Sequence, residues 1–109
     1  MYSIVIKLDP KKLTNPDLDL RYRLPDLIAE KSGNLIQDDG YDYGEKSDAI
    51  LVYLTTEDLE KALPIVIDTV ENEIVLGNSF NGLVIVATGH DDNYTVVYPP
   101  GLEQPFDAS

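Results

Sequence analysis

Apolar and polar side chains alternate from Tyr2 to Leu8, with Ile4 and Ile6 on the same side as the two ends. Successive residues of a strand point to opposite faces, so this period predicts a half-buried strand. The continuous apolar run Ala49–Leu54 has strand length and is rich in Val, Ile and Tyr. It predicts a strand that is buried on both faces in the middle of a sheet.

A first helix is predicted before residue 32, where Ser32, Gly33 and Asn34 supply an end signal. Its apolar positions recur at helical spacing and are Leu20, Leu24, Leu27 and Ile28. Pro25 leaves two alternatives, because proline is favoured in a first turn but bends a helix interior. The helix either covers Pro25–Lys31 or begins near Asp17 and is kinked.

A second helix is predicted after Thr55 or Thr56, either of which can accept a hydrogen bond from a first-turn N–H. Its apolar stripe consists of Leu59, Ala62, Leu63, Val66, Ile67 and Val70. These positions fall at i, i+3, i+4, i+7, i+8 and i+11, the pattern of an amphipathic helix. We expect Pro64 to bend it.

Three further strands are predicted from less regular patterns. Residues 35–44 predict an irregular strand with a bulge or tight turn at Gly40. Residues 83–88 and 94–98 predict a hairpin, which ends at the Pro-Pro-Gly of residues 99–101. We therefore expect one α+β domain over residues 1–100 and a C-terminal tail, residues 101–109, docked through Leu102 and Phe106.

The element order, with a strand–helix–strand unit occurring twice, resembles the ferredoxin-like α/β plait. This resemblance implies a βαββαβ fold, with or without an additional C-terminal strand, and two helices on one face of an antiparallel sheet. It rests on element order alone and carries no function, since the plait hosts many unrelated ones.

Charge narrows the choice of partners. The chain has 20 acidic and eight basic residues, a formal net charge of −12, and residues 62–109 contain no Lys or Arg. Such a surface repels nucleic-acid phosphates and anionic lipids, so we expect neither nucleic-acid nor membrane binding. It favours encounter with a basic protein, although excess charge also serves solubility alone.

Composition and motifs argue against a cofactor. The chain has no cysteine, which excludes disulfides and thiolate metal sites and fits a cytoplasmic protein. It also lacks an N-terminal signal pattern, a phosphate-binding loop and a dinucleotide fingerprint. We expect no cofactor.

No catalytic or metal site is predicted. His90 is the sole histidine and lies in the expected hairpin turn, and no nucleophile elbow surrounds Ser79 or any other serine. The aspartate pairs 38–39 and 91–92 are typical of turns and lack the spacing of a calcium loop. We therefore interpret the chain as a non-enzyme, without excluding an activity.

One stretch combines tyrosines with carboxylates, and it is the predicted partner-binding surface. Its members are Asp38, Asp39, Tyr41, Asp42, Tyr43 and Glu45. Strand alternation places the tyrosines on one face and Asp42 with Gly40 on the other. The tyrosines either belong to the core or form an exposed patch of the kind enriched in binding hot spots.

Two functions from different classes follow. The first is a small acidic binding module that docks a basic protein. In general character it resembles bacterial immunity proteins, which neutralise a toxin by masking its cationic nucleic-acid site. The alternative is a small-molecule-binding regulatory or catalytic plait domain. Self-association as a homodimer through a sheet face or edge strand stays open.

Overall fold

The computed structural model describes residues 1–90, 93–101 and 105–106. Its elements are β1 (Tyr2–Leu8), a 3-10 turn (Pro10–Lys12), α1 (Leu20–Lys31), β2 (Ile36–Tyr43), β3 (Ile50–Thr56), α2 (Leu59–Asn72), β4 (Ile74–Val75), β5 (Asn78–Ser79), β6 (Val84–His90) and β7 (Asn93–Tyr98). The chain is an α+β protein, as the sequence predicted.

Five strands form an antiparallel sheet in the order β2-β3-β1-β6-β7, and β4 pairs with β5 in a separate two-stranded ribbon. The middle strand is β1, whereas the sequence predicted the buried run of β3 for that place. Both strands have a neighbour on each side, which explains why burial of β3 alone did not identify the centre. Strands β2 and β7 form the two edges.

Both helices pack on one face of this sheet. Leu20, Leu24 and Ile28 of α1 and Val66 and Val70 of α2 are fully buried in a single apolar core. The sheet contributes the alternate positions of its inner strands, among them Ile4, Ile6, Ile50, Val52 and Val86. Side chains at every second position therefore share the helix side, as the period of β1 predicted.

The opposite face of the sheet has a small core of its own. Val5, Leu51 and Ala87 are buried there beneath partly buried aromatic rings, those of Tyr53, Tyr94 and Phe106. The rings of Tyr94 and Phe106 lie 5.6 Å apart. The tail therefore contacts the sheet at Phe106, while Leu102 lies outside the described residues.

The helix boundaries show where α1 begins and which residue caps α2. Helix α1 begins at Leu20 and carries Pro25 inside it, so the version starting at Pro25 is wrong. The cap of α2 is Asp58, whose Oδ1 accepts a hydrogen bond from the Lys61 N–H at 3.1 Å. The predicted cap, Thr55 or Thr56, is wrong because both belong to β3, and the Thr56 hydroxyl oxygen instead accepts from the Asp58 N–H at 3.2 Å.

The segment after α2 forms a short two-stranded ribbon that the sequence pattern did not indicate. Strands β4 and β5 are joined by a two-residue turn in which Leu76 and Gly77 both have positive φ, 50° and 80°. Asn78 follows and is fully buried. Its side chain bonds the backbone of Asn15 and thereby fixes the loop that leads into α1.

Candidate functional site

The tyrosine stretch lies on edge strand β2. Tyr41 is opposite Val52 and Tyr43 is opposite Ile50, and both partners belong to the core beneath the helices. Directly opposed residues share a face, so the two tyrosines point to the helix side of the sheet. They are nevertheless 40% and 42% exposed. They lie at the edge of the core, so they are neither buried core residues nor a fully exposed patch, the two predicted alternatives.

The first turn of α1 supplies the rest of this site. The Arg21 guanidinium lies 4.6 Å from the ring centre of Tyr22 and 4.9 Å from that of Tyr41, and its Nη1 donates a 2.8 Å hydrogen bond to the Tyr43 hydroxyl. The Tyr41 ring meets those of Tyr22 and Tyr43 edge-on, at 5.8 Å in both cases. We call Arg21, Tyr22, Tyr41 and Tyr43 the tyrosine cluster.

Aromatic rings, rather than carboxylates, surround the Arg21 guanidinium. Edge-on ring pairs and a cation over ring faces are favourable geometries. The Arg21 Nε is buried and has no hydrogen-bond partner within the described ranges. The side chains of the cluster already contact one another in the free protein, so binding would restrict them less than it would restrict isolated side chains.

The phenol groups of the cluster differ in acidity. Contact with the Tyr41 hydroxyl, and next the Arg21 guanidinium, lowers the pKa of Tyr22 below its usual value. The same contact with Tyr22 raises the pKa of Tyr41. A protonated phenol both donates and accepts hydrogen bonds.

The predicted carboxylates border the tyrosines but do not form one surface with them. Asp38, Asp39, Asp42 and Glu45 are all exposed. Asp42 is opposite Leu51 and hence points to the far side of the sheet, as alternation predicted. Asp38 accepts a 2.8 Å hydrogen bond from the Gly40 N–H, where the β2–β3 register shifts as the predicted bulge requires.

The acidic residues of β2 also have a simpler role. An edge strand leaves its outer backbone groups free to pair with another chain, and exposed charges discourage that pairing. Carboxylates on the outermost strand therefore make sheet-to-sheet dimerisation through β2 unfavourable. They do not account for the exposed rings.

Sequence reasoning missed half of the tyrosine cluster. Arg21 and Tyr22 are about 20 residues from Tyr41 along the chain, and nothing in the local pattern relates the two segments. A signal was present in the helix period, since Arg21 and Tyr22 fall outside the apolar stripe that begins at Leu20. It could show that these side chains leave the core, but not what they contact.

The other candidate residues do not assemble into a reactive site. His90 ends β6 opposite Asn93 and is a strand residue, so its placement in the turn is wrong. Ser79 is an exposed residue of β5. Asp91 and Asp92 lie outside the described residues. Within the described ranges, no three His, Asp or Glu side chains are grouped as metal ligands.

Comparisons with protein-family models, curated proteins and solved structures found no match to this chain. In the part of the chain that the structure describes, no helix combines the length and the hydrophobicity needed to cross a bilayer.

Proposed function

We propose that this protein is a small acidic, non-enzymatic binding module that docks a basic protein partner. The observation that carries the proposal is the tyrosine cluster, three exposed rings held around one guanidinium on a strongly anionic protein. Tyrosine and arginine dominate the energetics of protein interfaces. Ordered, amphipathic rings supply contact area at low entropic cost.

The net charge of −12 supplies the choice of partner. Complementary potentials accelerate encounter with a basic protein and disfavour acidic ones. The exposed carboxylates Asp38, Asp39 and Glu45 place part of that charge next to the rings in sequence. An immunity-type inhibitor, which covers a cationic site of a toxin, is the concrete version of this proposal.

The fold and location belong to the same proposal. The element order and the placement of both helices on one face support a ferredoxin-like plait to which β7 and the β4–β5 ribbon have been added. A chain without cysteine suits the cytoplasm, where thiols are kept reduced.

The proposal is tested by affinity capture with three tagged proteins, the wild type, Tyr41→Ser and Leu83→Ser. Leu83 is a matched control because it is 37% exposed, as against 40% for Tyr41, and lies in the turn before β6. We expect the wild type and Leu83→Ser to retain a basic protein from a lysate of the source cells, and Tyr41→Ser to lose it. Thermal denaturation verifies that both variants are folded.

Salt provides the second readout. Raising the ionic strength shortens the Debye length from about 10 Å at 0.1 M to about 3 Å at 1 M, so an electrostatically steered complex should weaken. The proposed function is contradicted if no basic protein is captured, or if the amount captured does not change with ionic strength. Loss of the partner with Leu83→Ser alone would leave the function standing and refute the tyrosine cluster as its surface.

A further inference from the structure

A groove of about 890 Å³ runs along the exposed side of α2, separate from the tyrosine cluster. Its floor is apolar and is made by Tyr2, Leu59, Leu63, Pro64 and Ile67. Leu59, Leu63 and Ile67 recur every four residues, so they form one ridge along the helix. Each is only partly buried, although the sequence pattern placed all three in the core stripe.

Carboxylates surround this floor. The residues lining the groove include five acids, Glu57, Asp58, Glu60, Asp68 and Glu71, and no basic residue. Lys31 bridges Asp68 at 3.3 Å, and Lys61 lies 3.9 Å from Asp58. Within the described ranges, Glu57, Glu60 and Glu71 have no cation at ion-pair distance.

Stability does not explain the charge at the far end of the groove. Glu71 lies in the last turn of α2, where no residue is basic. The C-terminal end of a helix carries a partial negative charge and favours cations. A carboxylate there opposes the helix dipole, so it adds to the negative potential of the groove without stabilising the helix.

We propose that the groove binds a basic amphipathic helix of a partner protein, with apolar side chains on the floor and Lys or Arg against the rim. From Leu59 to Glu71 the helix axis rises about 18 Å, the length of a partner helix of about three turns. An amphipathic helix laid in an apolar groove is a recurrent recognition mode. A second copy of this chain fits poorly, because its own rim would oppose five carboxylates with five more.

The test uses a synthetic Leu/Lys amphipathic peptide of about four helical turns, titrated into the 15N-labelled protein. We expect the largest chemical-shift changes at residues 57–71 and at Tyr2, and a measurable Kd at low salt. A peptide with every leucine replaced by alanine keeps the charge and the helix propensity. It should bind at least about tenfold more weakly if the apolar floor takes part.

Matched protein variants separate the groove from general attraction to an anionic protein. E60Q/E71Q and D26N/E30Q each remove two exposed negative charges from a helix, the first pair at the groove on α2 and the second on α1. We expect E60Q/E71Q to weaken peptide binding about three- to tenfold and D26N/E30Q less than about twofold. Both variants keep side-chain size, and circular dichroism verifies the fold.

Three outcomes would overturn the inference. They are equal effects of the two variants, equal binding of the leucine-free peptide, and shift changes centred away from residues 57–71. None of them bears on the tyrosine cluster, because the surfaces share no residue. This groove can therefore fail while the proposed function stands, and the reverse also holds.

Discussion

Replacing Asn78 should reveal how the loop before α1 is held. Asn78 is fully buried, and its Oδ1 accepts from the Asn15 N–H at 2.7 Å while its Nδ2 donates to the Asn15 carbonyl at 2.6 Å and to the Val75 carbonyl at 3.2 Å. Asn78→Ala removes these three bonds and a longer one from Nδ2 to the Leu76 carbonyl at 3.4 Å. At about 0.5–1.5 kcal/mol for each of the three shorter bonds, the free energy of unfolding should fall by about 2–4 kcal/mol.

That loss is a large fraction of the roughly 5–15 kcal/mol that stabilises a typical domain. Urea denaturation followed by circular dichroism measures it. With an m-value of about 2 kcal/mol/M, the midpoint should decrease by about 1–2 M. Asn72→Ala is the control, because Asn72 is exposed and its change should stay within about 0.5 kcal/mol.

Asn78→Asp tests the donor separately. The isosteric carboxyl keeps the acceptor for the Asn15 N–H but, when ionised, points an anionic oxygen at the carbonyls of Asn15 and Val75. Burial and these dipoles should raise the pKa of the introduced carboxyl in the folded state above its unfolded value. The variant should therefore lose stability relative to wild type as pH rises through that pKa. A change of Asn78→Ala below about 0.5 kcal/mol, or an opposite pH trend in Asn78→Asp, would refute this reasoning.

Two further predictions concern the sheet and the tyrosine cluster. Gly89→Ala should lower stability by about 1–3 kcal/mol in urea denaturation, because the added Cβ would lie 2.5 Å from the Asn93 carbonyl oxygen and 2.7 Å from Cδ1 of Tyr94; an unchanged midpoint would contradict these contacts. In an alkaline titration of tyrosinate absorbance, Tyr22 should ionise below the usual pKa, and Tyr41→Phe should raise that pKa more than Arg21→Gln does. A larger effect of Arg21→Gln would reverse the assigned order of causes.

The strands were predictable because their signals are local. The alternation of β1 gave its bounds, Tyr2–Leu8, correctly, and Gly40, with a φ of 93°, marked the irregularity of β2. The β4–β5 ribbon was missed for a local reason as well. Both residues of its turn have positive φ, which is typical of Asn-Gly or Gly-Gly. Leucine, which stands at position 76, rarely adopts that conformation.

Long-range contacts account for most of what sequence reasoning could not supply. Asn78 and Asn15 are 63 positions apart, and their hydrogen bonds depend on how two loops meet after the sheet forms. The tyrosine cluster likewise joins α1 to β2. A periodic pattern shows which side chains leave the core, but the neighbours of an exposed side chain are set by tertiary packing.

The apolar stripe of α2 shows the limit of periodicity most clearly. Its six predicted positions divide into two rows, and only Ala62, Val66 and Val70 are fully buried. A helix packed on a sheet covers a stripe little more than 100° wide, so a second apolar row at its margin stays partly in water. The apolar row at this margin packs against the core without being covered by it, and carboxylates surround it. Under the proposed docking of a basic helix, that arrangement accounts for the charge around α2, as solubility alone does not.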